Sequence, residues 1–241
     1  MSDPLAAVAQ LPGVPEAVEE AREAVDRLYR HRVLRRARPA VSIESSLRGA
    51  RASAALEGSD VTLDALRRDE VSDPLVQGAL RASAEVGRLG PTWRKAPRQV
   101  LARLHSVAAA GLVDADALGR PLVTGPRLEM LYGLLETPTK AAALVLAAIV
   151  HAELAVLRPF GSADGVVARA AERLTLVEYG LDPKSIVAVE VGHLEQDYEA
   201  ALKAYVRGSS DGVAQWVRQC ASAVSLGVRE TTAICEAMQR G

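Results

Sequence analysis

One segment of the chain is apolar on almost every side of a helix, and it restricts the fold more than any other part of the sequence. Helical periodicity runs from about residue 139 to 157, between Thr137-Pro138 and Pro159, and it includes the unbroken apolar run Ala141–Val150. That run is about half as long as a membrane-spanning helix requires. A short helix that is apolar all round is normally the buried centre of a helical bundle. We therefore predict a water-soluble helical protein that does not associate with membranes.

The rest of the sequence repeats helical signals and contains almost no strand signals. Periodicity and capping residues predict further helices at residues 15–38, 42–57, 63–68, 74–89, 97–110, 125–135, 164–179, 192–207 and 211–235. Pro15 should open the first of these helices and Pro39 should stop it. Only residues 119–124 and 186–191 are candidates for a short strand or hairpin. The predicted fold class is all-α.

Composition argues against several classes of function. The net charge is −1 and aromatic residues make up only 3%, so the chain lacks both the field and the stacking surfaces that nucleic-acid binding commonly uses. Cys220 and Cys235 match neither a disulfide framework nor a metal-binding spacing. The N-terminus has no signal-peptide pattern. We expect a cytoplasmic protein without a metal site. The arginine-rich segment 27–38 is predicted to be either a solvated helix face or a contact for an acidic partner or nucleic acid.

A helix–turn–helix corner carries the strongest functional signal. It reads Arg158-Pro159-Phe160-Gly161-Ser162-Ala163-Asp164-Gly165, and Val166 and Arg169 follow. The free N–H groups and the dipole of the second helix would make this turn an anion site. The order of residues resembles, without a gap, the signature His-Pro-Phe-x-Asp/Glu-Gly-Asn-Gly-Arg-x-x-Arg of the Fic (filamentation induced by cyclic AMP) family.

A second segment resembles the inhibitory motif of the same family, Ser/Thr-x-x-x-Glu-Gly/Asn. This segment reads Ser53-Ala-Ala-Leu-Glu57-Gly58. Residues 100–105, 119–121 and 198–216 also resemble the family, so the similarity covers roughly residues 45–218. It implies a Fic/Fido-like helical bundle with at most a short β-hairpin flap. The chain then divides into an N-terminal helical extension (1–44), a Fic-like domain that includes the inhibitory-type helix (45–218), and a C-terminal helix packed on the same domain (219–241).

The residues that the family uses for chemistry are replaced in this sequence. In active members the motif's histidine is the general base for AMP transfer, its acidic residue holds Mg²⁺ and its first arginine binds phosphate; here these positions are Arg158, Ser162 and Val166. A guanidinium cannot accept the proton, and a neutral hydroxyl is a poor ligand for Mg²⁺. Asp164 replaces the asparagine. The positions that still match are Pro159, Phe160, Gly165 and Arg169.

The resemblance therefore implies a catalytically degenerate protein, a pseudoenzyme that acts as a non-catalytic binding or regulatory domain for a protein partner or a second copy of itself. We assign no catalytic residue and predict no cofactor. The alternative is a nucleotide-binding or weakly active adenylyltransferase-type enzyme that is autoinhibited by Glu57 and binds phosphate at Gly165 and Arg169. ATP and Mg²⁺ would be the cofactors of that active form.

Two ion pairs are predicted around the turn. The family's inhibitory glutamate pairs with the second arginine of the motif, so Glu57 and Arg169 should form a salt bridge, either closing the pocket or simply tying the two helices together. Arg158 and Asp164 bring opposite charges to one turn and should neutralise each other. Among the histidines, His151 is predicted to be a packed or hydrogen-bonded core residue; His105 and His193, which belong to no motif, are predicted to be structural or surface residues.

Overall fold

The computed structural model describes residues 3–240, and within them it contains twelve helices and no strand. The helices are α1 (Pro4–Val8), α2 (Val14–Tyr29), α3 (Leu34–Ala55), α4 (Leu63–Arg67), α5 (Pro74–Trp93), α6 (Pro97–Ala108), α7 (Pro126–Glu136), α8 (Ala143–Leu157), α9 (Asp164–Glu178), α10 (Val189–Leu194), α11 (Tyr198–Val206) and α12 (Ser210–Arg240). The all-α prediction is confirmed.

Helix α8 is the centre of the bundle. Every residue from Leu144 to Leu154 is buried, as the uniformly apolar sequence predicts. Helices α7, α9, α11 and α12 contact α8, and α9 is also covered by α5 and α6. The turn between α8 and α9 is consequently anchored at both ends in the core. In the part of the chain that is described, no helix is both long and apolar enough to cross a membrane.

The prediction that Pro39 ends a helix was wrong. Helix α2 already ends at Tyr29, and α3 begins at Leu34 and continues through Pro39. A proline ring inside a helix clashes with the preceding turn. The chain accommodates it because Ala37 leaves helical geometry, with φ −119° and ψ 19°, so that α3 is kinked near its start.

The helix predicted at 192–207 and the two candidate strands differ from the structure. The helix predicted at 192–207 is two helices, α10 and α11, and neither candidate strand segment, 119–124 or 186–191, forms a strand. Both predicted domain boundaries fall inside helices, the first within α3 and the second within α12. Helix α12 runs unbroken past residue 218 and contacts α2, α3, α8, α10 and α11.

Candidate ligand site at the turn between α8 and α9

The turn between α8 and α9 is built from residues in left-handed backbone conformations. Arg158, Gly161 and Ala163 have φ values of 46°, 74° and 50°. The carbonyl oxygen of Pro159 accepts hydrogen bonds from the backbone N–H groups of Leu122, at 2.7 Å, and Val123, at 3.1 Å. The predicted helix–turn–helix corner is therefore present, and the segment before α7 is hydrogen-bonded to it.

Arg158 and Asp164 do not form the predicted ion pair. The Arg158 side chain is exposed, whereas Asp164 is 3% exposed and its Oδ1 accepts a hydrogen bond of 2.9 Å from the Phe160 N–H. Short acidic side chains favour such local bonds to the backbone, while a guanidinium is most stable in water. Asp164 Oδ2 is buried without a hydrogen-bond partner in the described residues. Burial raises the pKa of this carboxyl.

His105 packs against the turn, and of the two positions predicted for it, structural or surface, the structure has the structural one, since the residue is 1% exposed. Its ring stacks on Phe160 with 4.2 Å between the ring centres. His105 Nδ1 accepts a hydrogen bond from the Gly119 N–H, and Nε2 lies 3.0 Å from Ser162 Oγ. Burial lowers the pKa of His105, so the neutral ring carries its one proton on Nε2 and donates it to Ser162. In this tautomer His105 cannot act as a base for the Ser162 hydroxyl.

The predicted salt bridge between Glu57 and Arg169 is confirmed. Arg169 Nη2 lies 2.8 Å from Glu57 Oε1. The same guanidinium donates to the hydroxyl and to the backbone carbonyl of Ser53, both at 2.9 Å. Arg169 is 1% exposed while the Glu57 side chain is 30% exposed. Helices α3 and α9 are thus joined by a charged network at the edge of the turn.

The Glu57 carboxylate lies directly over Gly165, in the first turn of α9. A Cβ atom at Gly165 would be 1.9 Å from Glu57 Oε1, so only glycine permits this approach. Within residues 3–240, the N–H groups of Gly165 and Val166 have no hydrogen-bond acceptor. A helix N-terminus favours negative charge at this position. The Glu57 carboxylate therefore occupies the space at the N-terminus of α9, whereas Val166, 2% exposed, belongs to the core.

Two further histidines, His151 and His193, are also buried, and both are 0% exposed. His151 is hydrogen-bonded in the core, as predicted, and His193 takes the structural one of the two positions predicted for it. Both rings contact Glu172, at 2.7 Å and 2.8 Å. The sequence reasoning missed this group because each histidine lies 21 residues from Glu172, so no local spacing marks it.

Comparisons with known proteins show the fold. No protein-family model matches the sequence, and no curated protein matches it. Among solved structures, a Fic family protein from Desulfovibrio desulfuricans G20 is 21% identical with a TM-score of 0.70, over 90% of this chain and 74% of the other. Fic-1 (aa134–508) from C. elegans is 17% identical with a TM-score of 0.70, over 93% of this chain and 73% of the other. This chain has the Fic fold. In this Fic-fold chain, helices α3, α8 and α9 supply the site.

Proposed function

We propose that this Fic-fold protein is a non-catalytic binding or regulatory domain. The proposal rests chiefly on position 158, where the Fic signature has a histidine that acts as a base. Arg158 is exposed, and a guanidinium group has no capacity to abstract a proton from a hydroxyl group. Loss of a positioned base typically lowers a rate by about 10²–10⁴.

The side chains of the turn do not fit Mg²⁺. Ser162 Oγ is a neutral oxygen that already accepts a hydrogen bond from His105. The Asp164 carboxyl faces the protein interior, and Glu57 is engaged by Arg169. Mg²⁺ binds through accessible, usually charged oxygens. We therefore derive no metal-assisted transfer step at this turn, and the function proposed needs no cofactor.

An apolar edge beside the turn suits contact with another protein. Leu122 and Val123 are 75% and 40% exposed, and their backbone bonds to Pro159 hold them against the turn. Exposed apolar groups at a fixed position favour a protein partner or a second copy of the chain. We propose that the partner binds here, in the cytoplasm, where the two buried free cysteines would stay reduced.

A direct assay tests the absence of transfer. The wild-type protein and Glu57→Gly are incubated with Mg²⁺ and α-labelled ATP or other α-labelled nucleoside triphosphates, alone and with cell extract, beside an active Fic enzyme as positive control. We expect no label on any protein above background for either variant. Label that appears with Glu57→Gly, or with the wild type, would refute the non-catalytic proposal.

Mass measurement by light scattering tests the second-copy version of the partner proposal. We compare the wild type with Leu122→Asp and with Met130→Asp, a control that changes a 71% exposed apolar residue on α7. If the edge mediates self-association, only Leu122→Asp lowers the measured mass. A wild-type mass equal to that of one chain excludes self-association and leaves a different protein as the partner.

One observation favours a second candidate function, the binding of a nucleotide or another phosphate-bearing ligand. Glu57 places its carboxylate at the free N–H groups of α9 and is held by Arg169, so a phosphate displacing Glu57 would gain Arg169 as a donor and could also accept from the unused N–H groups. Calorimetry with nucleotides tests this. Binding should be at least about tenfold tighter for Glu57→Gly than for the wild type, because about 1.4 kcal/mol of competition is removed, and Arg169→Gln in the same background should abolish it. No binding by either protein would eliminate this candidate.

A further inference from the structure

Four side chains with metal-binding chemistry meet in the core, below the candidate ligand site. They are His151 on α8, Glu172 on α9, His193 on α10 and Cys220 on α12, and one ligand atom from each lies within 4.8 Å of all the others. All four are between 0% and 1% exposed. We propose that these four residues form a structural site for a divalent transition-metal ion, with Zn²⁺ as the ion that best fits the donors.

The donor set matches what Zn²⁺ selects. Imidazole nitrogen, thiolate sulfur and carboxylate oxygen are its three protein ligands, and four ligands that exclude water are typical of structural rather than catalytic sites. A harder ion would use fewer of these groups, since Mg²⁺ and Ca²⁺ prefer oxygen alone. The burial of the cluster leaves no open position for a substrate.

The geometry is close to that of a bound ion. Glu172 Oε2 lies 2.7 Å from His151 Nδ1 and 2.8 Å from His193 Nε2. In tetrahedral Zn²⁺ sites, bonds of about 2.0–2.3 Å set neighbouring ligand atoms roughly 3.3–3.8 Å apart. To bind an ion, Glu172 Oε2 must therefore move away from the two imidazole nitrogens. The most widely separated ligand atoms, at up to 4.8 Å, must move closer together. Each distance changes by about 1 Å or less. Rotations of side chains achieve such shifts without moving the helices.

The charges of the cluster also favour a divalent cation. Protein ligands bind a metal ion in their deprotonated forms, as neutral imidazole, carboxylate and thiolate, so the Cys220 thiol would release its proton when the ion binds. One M²⁺ ion with one carboxylate and one thiolate gives zero net charge.

The surroundings orient one ligand well. The Tyr198 hydroxyl lies 2.9 Å from His151 Nε2, so this nitrogen can donate its proton to Tyr198 while Nδ1 coordinates, as such ligands usually require. The Trp216 ring packs edge-on against His151 and stacks on His193. His193 Nδ1 has no hydrogen-bond partner in the described residues, so that ring is oriented by its Nε2 contact with Glu172 and by packing.

Metal content after refolding tests the proposal. Because the site is closed to solvent, untagged protein is unfolded in chelator, refolded with or without Zn²⁺, and analysed by mass spectrometry for bound metal. We expect about one Zn²⁺ per chain, as for closed four-ligand sites, and a higher melting temperature in the zinc-refolded sample. Refolding with Co²⁺ should add a thiolate-to-cobalt charge-transfer band.

The second free cysteine provides a matched control. Cys220→Ser should weaken Zn²⁺ binding more than about tenfold, because loss of an outer-shell partner of a ligand already costs about 10–100-fold in affinity, and it should remove the cobalt band. Cys235→Ser, also buried on α12 but outside the cluster, should leave both unchanged. Folded wild type that retains less than about a tenth of an ion per chain after refolding with Zn²⁺ would overturn the proposal and leave a hydrogen-bonded network. If Cys220→Ser does not fold, this wild-type measurement still decides.

Discussion

At the residue level, the first turn of α9 places two carboxyl groups close together. Asp164 is buried and turned toward the Phe160 N–H, and Glu57 lies above Gly165 beside Arg169. The Glu57 charge adds to the rise of the Asp164 pKa that burial causes. Only Glu57 has a cationic partner in direct contact, so its contribution to stability should be positive and that of ionised Asp164 negative.

Replacing Glu57 should destabilise the fold, because Arg169 would stay buried without its carboxylate. We expect Glu57→Ala to lower the free energy of unfolding by about 1–3 kcal/mol, less than for a fully buried pair because Glu57 is partly exposed. Urea denaturation measures this difference. The control Glu199→Ala breaks an exposed pair with Lys203 and should change stability by less than about 0.5 kcal/mol. Equal effects of the two changes would contradict the prediction.

Asp164→Asn should stabilise the protein in a pH-dependent way. Because burial raises the folded-state pKa of Asp164 above 3.8, the folded protein binds this proton more tightly than the unfolded chain does. The bound proton therefore stabilises the fold fully below pH 3.8. This stabilisation is lost as the pH rises through the folded-state pKa of Asp164. Asparagine cannot ionise and keeps the acceptor for Phe160. The melting-temperature gain of the variant should therefore grow from pH 4 to pH 7, and a gain independent of pH would refute this.

At the level of helices, close crossings depend on single glycines. Gly78 on α5 meets the backbone of α6, where a Cβ atom would lie 1.9 Å from the Ala108 carbonyl oxygen. Gly192 on α10 meets α12 in the same way, at 2.1 Å from the Ala223 carbonyl oxygen. Backbone cannot rotate aside as a side chain can, so an added methyl group must separate the two helices.

A pair of alanine substitutions on α5 tests this packing. Gly78→Ala should cost about 1–3 kcal/mol or more by overpacking. Gly87→Ala lies on the same helix but would meet no atom within 4 Å, so it should add about 0.5–1 kcal/mol of stability through helix propensity. Chemical denaturation of both variants should show opposite signs. A loss of stability for Gly87→Ala as large as that for Gly78→Ala would contradict the prediction.

At the level of the whole molecule, α12 connects the outer and inner parts of the bundle. It contacts α2 on one side and α8, α10 and α11 on others. Beyond residue 218 its buried side chains continue, namely Cys220, Ala221, Ala223, Val224, Val228, Thr231, Ile234 and Cys235. The predicted boundary at 218 therefore cuts a helix whose buried side continues to Cys235.

Truncation after residue 218 should abolish cooperative folding. The shortened chain loses this apolar surface and uncovers α2 and α10, and burying each large aliphatic side chain stabilises a fold by roughly 1.5–3 kcal/mol. Because typical domains have only about 5–15 kcal/mol in total, we expect no sharp thermal transition by circular dichroism. A truncated chain that melts cooperatively near the full-length temperature would show that 219–241 is a separate appendage.

Helical periodicity and motif order were sufficient to predict much of this structure. The apolar run in α8 predicts its own burial, and the order of residues at the turn, with Ser53 to Gly58, predicts the contact between Glu57 and Arg169. These signals are local or depend on a known motif, so they can be read along the chain.

The tertiary structure decided the rest, because it depends on which distant side chains share a volume. Asp164 turns inward to the Phe160 N–H instead of meeting Arg158, since the backbone donor is nearer than a solvated guanidinium. Pro39 fits inside α3 only because Ala37 kinks. The cluster of His151, Glu172, His193 and Cys220 exists only where four helices converge, and no spacing along the chain encodes that convergence.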